Sequence, residues 1–262
     1  MLLRAFSSGL DVSRLQSLRE AIDSLAAAGA GSSLGRKLSV SRMHREPETD
    51  DETAFVREVV KTFWTSGIDR FYATTYQREP LLLLEHCTIR VQETRPDGNY
   101  VPWHLDASFY GFDVPMLTAW IPLVDVGTDA PGLEFADLGD RVAPAELQRL
   151  WLTAPLDERG RRALDDAQMD ETFGTDIPRR DIKLKVGGFC VFDQTVLHRT
   201  QVMPGARSRR VALEYRIADR DTLPRDIPPK ALKGMLMSWR DPQSSQVRIG
   251  YSGALFPAVA QA

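Results

Sequence analysis

At Pro80 the apolar pattern of the chain changes from helical spacing to short β-rich runs, and these runs fall into two groups. The first group is Leu84 to Gln92, Val101 to His104, Leu117 to Leu123 and Leu133 to Phe135. The second is Ile182 to Val186, Phe189 to Phe192, Val196 to Gln201 and Arg209 to Ile217. Turn residues such as Pro96-Asp97-Gly98-Asn99 separate them. Eight short strands in two groups predict a jelly roll, a mainly β fold in which two sheets face one another around a site.

The flanks are helical. From Asp11, an N-cap residue, Leu15, Leu18, Ile22 and Leu25 recur at helical spacing until the Gly/Ser-rich stretch Gly29 to Gly35. A second stripe of Phe55, Val56, Val59, Val60, Phe63 and Trp64 starts near Asp51 and stops at Gly67, and Met43 to Asp50 between the two helices is expected to be a polar loop. Between the strand groups lies a helical, charged insertion of about 140–178, with Pro144 at a helix start and Leu147, Leu150 and Trp151 on its apolar side. Its Asp157 to Asp176 part is expected to be a solvated helix or loop, with a substrate lid as the alternative. After the Pro-bearing Asp219 to Pro229 stretch, Lys230 to Trp239 is expected to be a short helix. The division is therefore one domain over 1–262: an N-terminal helical region 1–80, a β core 81–218 with its insertion, and a tail 219–262.

With 33 basic against 36 acidic residues the net charge is −3, which gives no electrostatic footprint for nucleic acid or an anionic membrane. The longest apolar run, Leu81 to Leu84, is far too short to cross a bilayer. Cys87 and Cys190 stand in none of the usual zinc or redox spacings and are expected to be buried thiols in a reducing cytoplasm. The opening ten residues resemble a targeting peptide only faintly, since Asp11 soon follows and no cleavage site closes an apolar stretch; they are expected to be an arm leading into the first helix.

His104-Leu105-Asp106 is the motif with most chemical content. On a strand, residues i and i+2 project from one face, so His104 and Asp106 would grip one ion while Leu105 turns away. A third ligand is available in His198, within a Gly187-Gly188-led strand. Two imidazoles and one carboxylate suit iron(II) with positions left open. Thr200 shares the face of His198. In the next strand, alternation puts Arg209 with Val211, Leu213 and Tyr215, so Arg209 is expected to point inward and meet an anion, with Arg210 on the solvent side. Phe109, Tyr110, Trp103 and Trp120 are expected in the core rather than as pocket walls, and His44 and His86 have no ligand spacing.

Trp103-His104-Leu105-Asp106, Leu117-Thr-Ala-Trp120-Ile-Pro-Leu123, the Gly187-Gly188 strand, His198-x-Thr200 and Arg209 together resemble the phytanoyl-CoA dioxygenase family over about 84–217. The resemblance implies a double-stranded β-helix and an oxygenase that uses Fe(II), 2-oxoglutarate and O2 to oxidise a small molecule, releasing succinate and CO2. It implies His104, Asp106 and His198 as iron ligands, Arg209 with Thr200 for the distal carboxylate of 2-oxoglutarate, and Gln92 near its 1-carboxylate end. Asp106 separates it from related halogenases, which have a small residue there, and favours hydroxylation, desaturation or ring formation. Where many relatives close a Gly-rich segment with Pro-Gly-Ser-His, this chain has Ala130-Pro131-Gly132-Leu133-Glu134 instead. Two other readings stay open: a zinc or manganese hydrolase or isomerase on a cupin-like barrel, which leaves Arg209 and Thr200 without a role, and a non-catalytic binding protein.

Overall fold

The computed structural model describes residues 2–27, 38–45, 50–92, 100–139, 141–156, 160, 162–223 and 232–256. Asp11 caps the first helix as its side chain predicts: Oδ1 accepts from the backbone N–H of Ser13 at 3.0 Å and of Arg14 at 3.2 Å. Helix α1 (Val12–Ala27) buries Leu15, Leu18, Ile22 and Leu25. Helix α2 (Val40–Arg45) occupies the first part of the expected loop, α3 (Asp50–Ser66) carries the second apolar stripe, and α4 (Ile68–Tyr76) follows without having been foreseen. Gly67 ends the α3 stripe with φ 87, a conformation that strains any residue with a Cβ. The Gly29–Gly35 and Pro96–Asn99 turns lie outside the described residues.

The strands are β1 (Leu3–Phe6), β2 (Leu38–Ser39), β3 (Pro80–Leu82), β4 (Thr88–Gln92), β5 (Met116–Pro122), β6 (Leu133–Ala136), β7 (Arg179–Asp181), β8 (Phe189–Asp193), β9 (His198–Thr200), β10 (Arg210–Asp219), β11 (Leu236–Arg240) and β12 (Val247–Tyr251). Short helices α5 (Ala107–Tyr110), α6 (Pro144–Thr153) and α7 (Asp166–Phe173) lie between them. A nine-stranded sheet runs β1-β8-β5-β10-β3-β11-β12, with β4 also paired to β10 and β2 to β4; a three-stranded sheet runs β7-β6-β9. Every pairing between these strands is antiparallel. This is the two-sheet architecture that the strand pattern predicts.

Four local expectations change. The opening arm is strand β1, with Leu3 opposite Phe192. Val101 to His104 is not a strand: it makes two isolated bridges, Trp103 to Leu164 of the insertion and His104 to His198 of the smaller sheet. Ile182 to Val186 likewise makes only the bridge between Val126 and Leu184, and β7 just before it supplies the pairing strand. Of the region Lys230 to Trp239, expected to be a short helix, Leu236 to Trp239 lie in strand β11, because Leu236, Met237 and Ser238 are all fully buried in a sheet that takes them from both sides, while Lys230 and Ala231 lie outside the described residues.

Strand β10 decides where the site lies, since all ten of its residues are buried. Val211, Leu213, Tyr215 and Ile217 face the core shared with α1, α3 and α4, where Tyr215 Oη donates to the Val59 carbonyl at 2.7 Å. Burying a side chain such as Leu213 or Phe63 there stabilises the fold by about 1.5–3 kcal/mol. Arg210, Glu214 and Arg216 point the other way, into a cavity whose opposite wall carries His104, His198 and Leu133. The insertion is more than a solvated segment: Leu147, Trp151 and Met169 from α6 and α7 pack with Trp103 and Leu105 in a separate apolar cluster.

Candidate metal centre

His104 and His198 sit directly opposite each other, joined by His104 N–H to His198 C=O at 2.9 Å and the reverse bond at 3.1 Å. Their rings lie 4.2 Å apart, centroid to centroid. Each Nδ1 faces a carbonyl two residues earlier in its own chain, Pro102 O for His104 and Val196 O for His198, both at 2.9 Å. A carbonyl only accepts, so each Nδ1 carries the proton and each Nε2 presents its lone pair. Asp106 completes the cluster by a route the motif did not predict. The bridge ends at His104, and Asp106 takes helical φ/ψ of −62 and −27 as the N-cap residue of α5. The ligand atoms of His104, Asp106 and His198 all lie within 4.8 Å of one another. Two imidazoles that line the cavity, clustered with one carboxylate, fit iron(II).

The environment keeps these donors in the protonation states a metal needs. Burial, with His198 beside it, pulls His104 down to about 3, and burial also lowers His198. Both are therefore neutral at ordinary pH. Burial acts to raise the Asp106 carboxyl, but Arg216, the two histidines and the Thr118 hydroxyl outweigh it and hold the group below its ordinary value. Thr118 Oγ1 donates to Asp106 Oδ2 at 2.6 Å, while Arg216 donates to Asp106 Oδ1 at 3.2 Å and to Thr118 Oγ1 at 2.8 Å. Glu214 in turn accepts from Arg90 at 2.9 Å and from Thr88 at 3.0 Å, and stands 3.6 Å from Arg216. None of Thr118, Arg90, Glu214 and Arg216 was picked out from the sequence, although Glu214 and Arg216 share the alternation phase of Arg210.

That phase is the main correction. Arg209 does not enter the cavity: it pairs with Asp23 of α1 at the edge of the helical layer. Arg210, 1% exposed, is the arginine inside. Alternation along β10 holds, but its apolar face packs against the helices and its charged face meets the cavity. Arg210 donates to Thr200 Oγ1 at 3.1 Å and to Gly132 O at 3.0 Å. Thr200 Oγ1 also lies 3.4 Å from Gln92 Oε1, and Gln92 stands opposite Arg210 in the β4–β10 register. Gly132, in the segment that departs from the Pro-Gly-Ser-His pattern, approaches so closely that a Cβ there would come within 2.4 Å of Ile182 O.

Among the described residues, no carboxylate lies within ion-pair distance of Arg210, and burial with Arg90 nearby pulls its guanidinium down to about 9. Trp120, expected only in the core, lines the cavity, with Arg210 5.9 Å over its ring and its Nε1–H lacking an acceptor among the described residues. Trp103 is buried outside the cavity, and the side chains of Phe109 and Tyr110 lie outside the described set. His44 and His86 do not join the ligand cluster. No helix among the described residues is long and apolar enough to cross a membrane.

Sequence comparison finds no matching family model and no matching curated protein. Solved structures do share the fold. The chain is similar to SnoN, a non-heme alpha ketoglutarate dependent epimerase from nogalamycin biosynthesis, at 15% identity and TM-score 0.53, over 93% of this chain and 82% of SnoN. It is similar to the carbocyclase SnoK of the same biosynthesis at 15% identity and TM-score 0.54, over 83% of this chain and 79% of SnoK. EctD from S. alaskensis gives 12% identity and TM-score 0.53, over 84% of this chain and 73% of EctD. Another structure of SnoN holds Fe3+, alpha ketoglutarate and nogalamycin RO. The antiparallel sheets with their helices are thus a double-stranded β-helix, as in these proteins.

Proposed function

We propose that the protein is an iron(II)- and 2-oxoglutarate-dependent oxygenase acting on a small molecule. The observation that carries the reading is that His104 and His198, clustered with Asp106, line one cavity together with Arg210, a buried guanidinium that has no carboxylate within ion-pair distance among the described residues. A guanidinium buried to this degree costs several kcal/mol unless an anion meets it, and a carboxylate matches its fork. A ligand with an anionic group at one end and metal-binding oxygens at the other answers both halves of the cavity. That SnoN, a protein of the same fold, is known with Fe3+ and alpha ketoglutarate supports the choice.

His104 and His198 supply Nε2, and Asp106 supplies one carboxylate oxygen. Thr118 and Arg216 hold that carboxylate from behind, so its orientation is set before a ligand arrives. Arg210 and the Thr200 hydroxyl bind the distal carboxylate of 2-oxoglutarate, replacing Arg209 in that role, and Gln92 orients Thr200. Trp120 Nε1–H is placed to donate to the same co-substrate, which would satisfy a buried donor that is otherwise costly. Leu133, Phe192 and Val101 add apolar walls that limit water around the reacting carbon. Bound iron with 2-oxoglutarate and dioxygen supplies the oxidation itself, one oxygen atom going to the substrate carbon and the other to succinate as carbon dioxide leaves. With a carboxylate at position 106, hydroxylation or a related oxidation is the outcome we infer. The two buried thiols suit a reducing cytoplasm.

The test is binding and turnover together. Mn(II)-loaded protein should bind N-oxalylglycine, a 2-oxoglutarate analogue, in a calorimetric titration, and the iron-loaded protein should form succinate only with 2-oxoglutarate and oxygen. Absence of analogue binding to metal-loaded protein would overturn the reading.

A further inference from the structure

Among the described residues, the segment that carries His104 meets β9 only through the His104–His198 bridge and one further bond, from Thr200 N–H to Val101 O at 3.0 Å, so something more than these few bonds fixes its distance from β9. The outer face shows what does. His104 opposes His198, and His198 opposes Phe135 of β6, which makes an inner row across the sheet. One residue out of phase, on the far side of the same backbone, Arg199 opposes Glu134 and stacks on Trp103, whose own backbone bridge is to Leu164. Every member of this outer row is buried: Trp103 0%, Arg199 9% and Glu134 8% exposed.

The row is joined side chain to side chain. The Arg199 guanidinium lies 4.5 Å over the Trp103 ring, its Nε donates to Glu134 at 2.6 Å, and its Nη1 donates to Asp166 Oδ2 at 2.9 Å. Asp166 Oδ1 accepts from Trp103 Nε1 at 3.2 Å and from Arg179 at 2.6 Å. Asp166 opens helix α7, whose start is fixed by a capping box between Asp165 and Gln168. Thus the residue before one histidine and the residue after the other are tied to each other and to a carboxylate from the insertion.

We propose that Arg199 is a positioning residue for the metal centre: with Trp103 and Asp166 it sets the separation of His104 and His198 from the outer face, and the insertion acts as a clamp. It touches no ligand, so its influence passes through the paired backbones of the two histidines. The proposal rests on the reading of His104, Asp106 and His198 as metal ligands. A planar, five-donor cation suits the role, because it stacks on an indole while bonding two carboxylates at once.

Co(II) binding gives the readout, through its dissociation constant and ligand-field spectrum. Arg199→Met keeps the volume of the stem and removes the fork; we expect Co(II) affinity to fall about tenfold, the lower end of what support around metal ligands is worth, with an altered spectrum. Asp166→Asn changes a side chain that is half exposed, leaves the core intact, and decides the matter if Arg199→Met fails to fold: a weaker affinity with an unchanged thermal melt of the metal-free protein is expected. Wild-type affinity and spectrum in Asp166→Asn and in any folded Arg199→Met overturn the clamp while leaving the metal reading standing. A wild-type protein that binds no Co(II), or a His104→Ala variant that binds it normally, overturns the metal reading and the clamp with it.

Discussion

Arg210 of the larger sheet donates to the hydroxyl of Thr200 in the smaller sheet at 3.1 Å, and this bond joins the two walls of the cavity. Arg209, its neighbour in the chain, lies on the other face of β10 against Asp23. Replacing Arg210 with Ala should therefore weaken 2-oxoglutarate-analogue binding by about 2 kcal/mol, roughly thirtyfold, since a charge-assisted bidentate contact is lost. Arg209→Ala should leave that affinity unchanged. Calorimetry on the two variants separates the faces directly; equal losses would mean the cavity-facing phase is misassigned.

Asp106→Ala should abolish turnover, but with a cost to stability that the motif alone did not suggest. The carboxylate accepts from both Thr118 and Arg216, and its removal leaves buried donors without their acceptor. A loss of about 1–3 kcal/mol is expected in urea unfolding of the metal-free protein. Asp106→Asn, which keeps an acceptor, should lose less stability while also losing turnover.

The metal-free protein should become less stable on acidification. His104 titrates near 6.5 when unfolded but is held at about 3 in the folded protein, and His198 is lowered as well. Between about pH 3 and 6.5 the unfolded chain takes up protons that the folded protein refuses, so stability is full above that window and falls as pH drops through it. The lowered carboxyls of Asp106 and Glu214 act in the same direction at the acid end. Thermal melts across this range should show the slope, and His104→Gln should flatten it.

Both thiols should resist alkylation in the folded protein. Cys87 and Cys190 are fully buried, and burial pushes Cys87 up to about 12 and Cys190 further above the usual thiol range. The thiolate is the reactive form, so labelling by iodoacetamide at neutral pH should require denaturant. Rapid labelling of native protein, read by mass spectrometry, would contradict the packing of β8 and of the turn before β4.

Much of this molecule is local in its determination. Asp11 caps α1 with its own side chain, Leu15, Leu18, Ile22 and Leu25 mark one face, and Pro144 opens α6, each through contacts within a few residues. His104, Asp106 and His198 were legible as a ligand set because the chemistry of a facial site asks for those side chains and little else. What alternation along β10 left open is which of its two faces meets the site, since both are buried and period two is indifferent to a choice of side. The N-terminal helices decide it: their apolar stripes cover Val211, Leu213, Tyr215 and Ile217, so the charged face with Arg210, Glu214 and Arg216 is left to line the cavity. In the same way, only the packing of distant segments puts the Arg199 guanidinium over Trp103 and brings Asp166 of the insertion onto both. The sequence determined which groups are present and how they alternate; the tertiary structure decided which buried face is polar, because a buried charge persists only where folding brings it a partner.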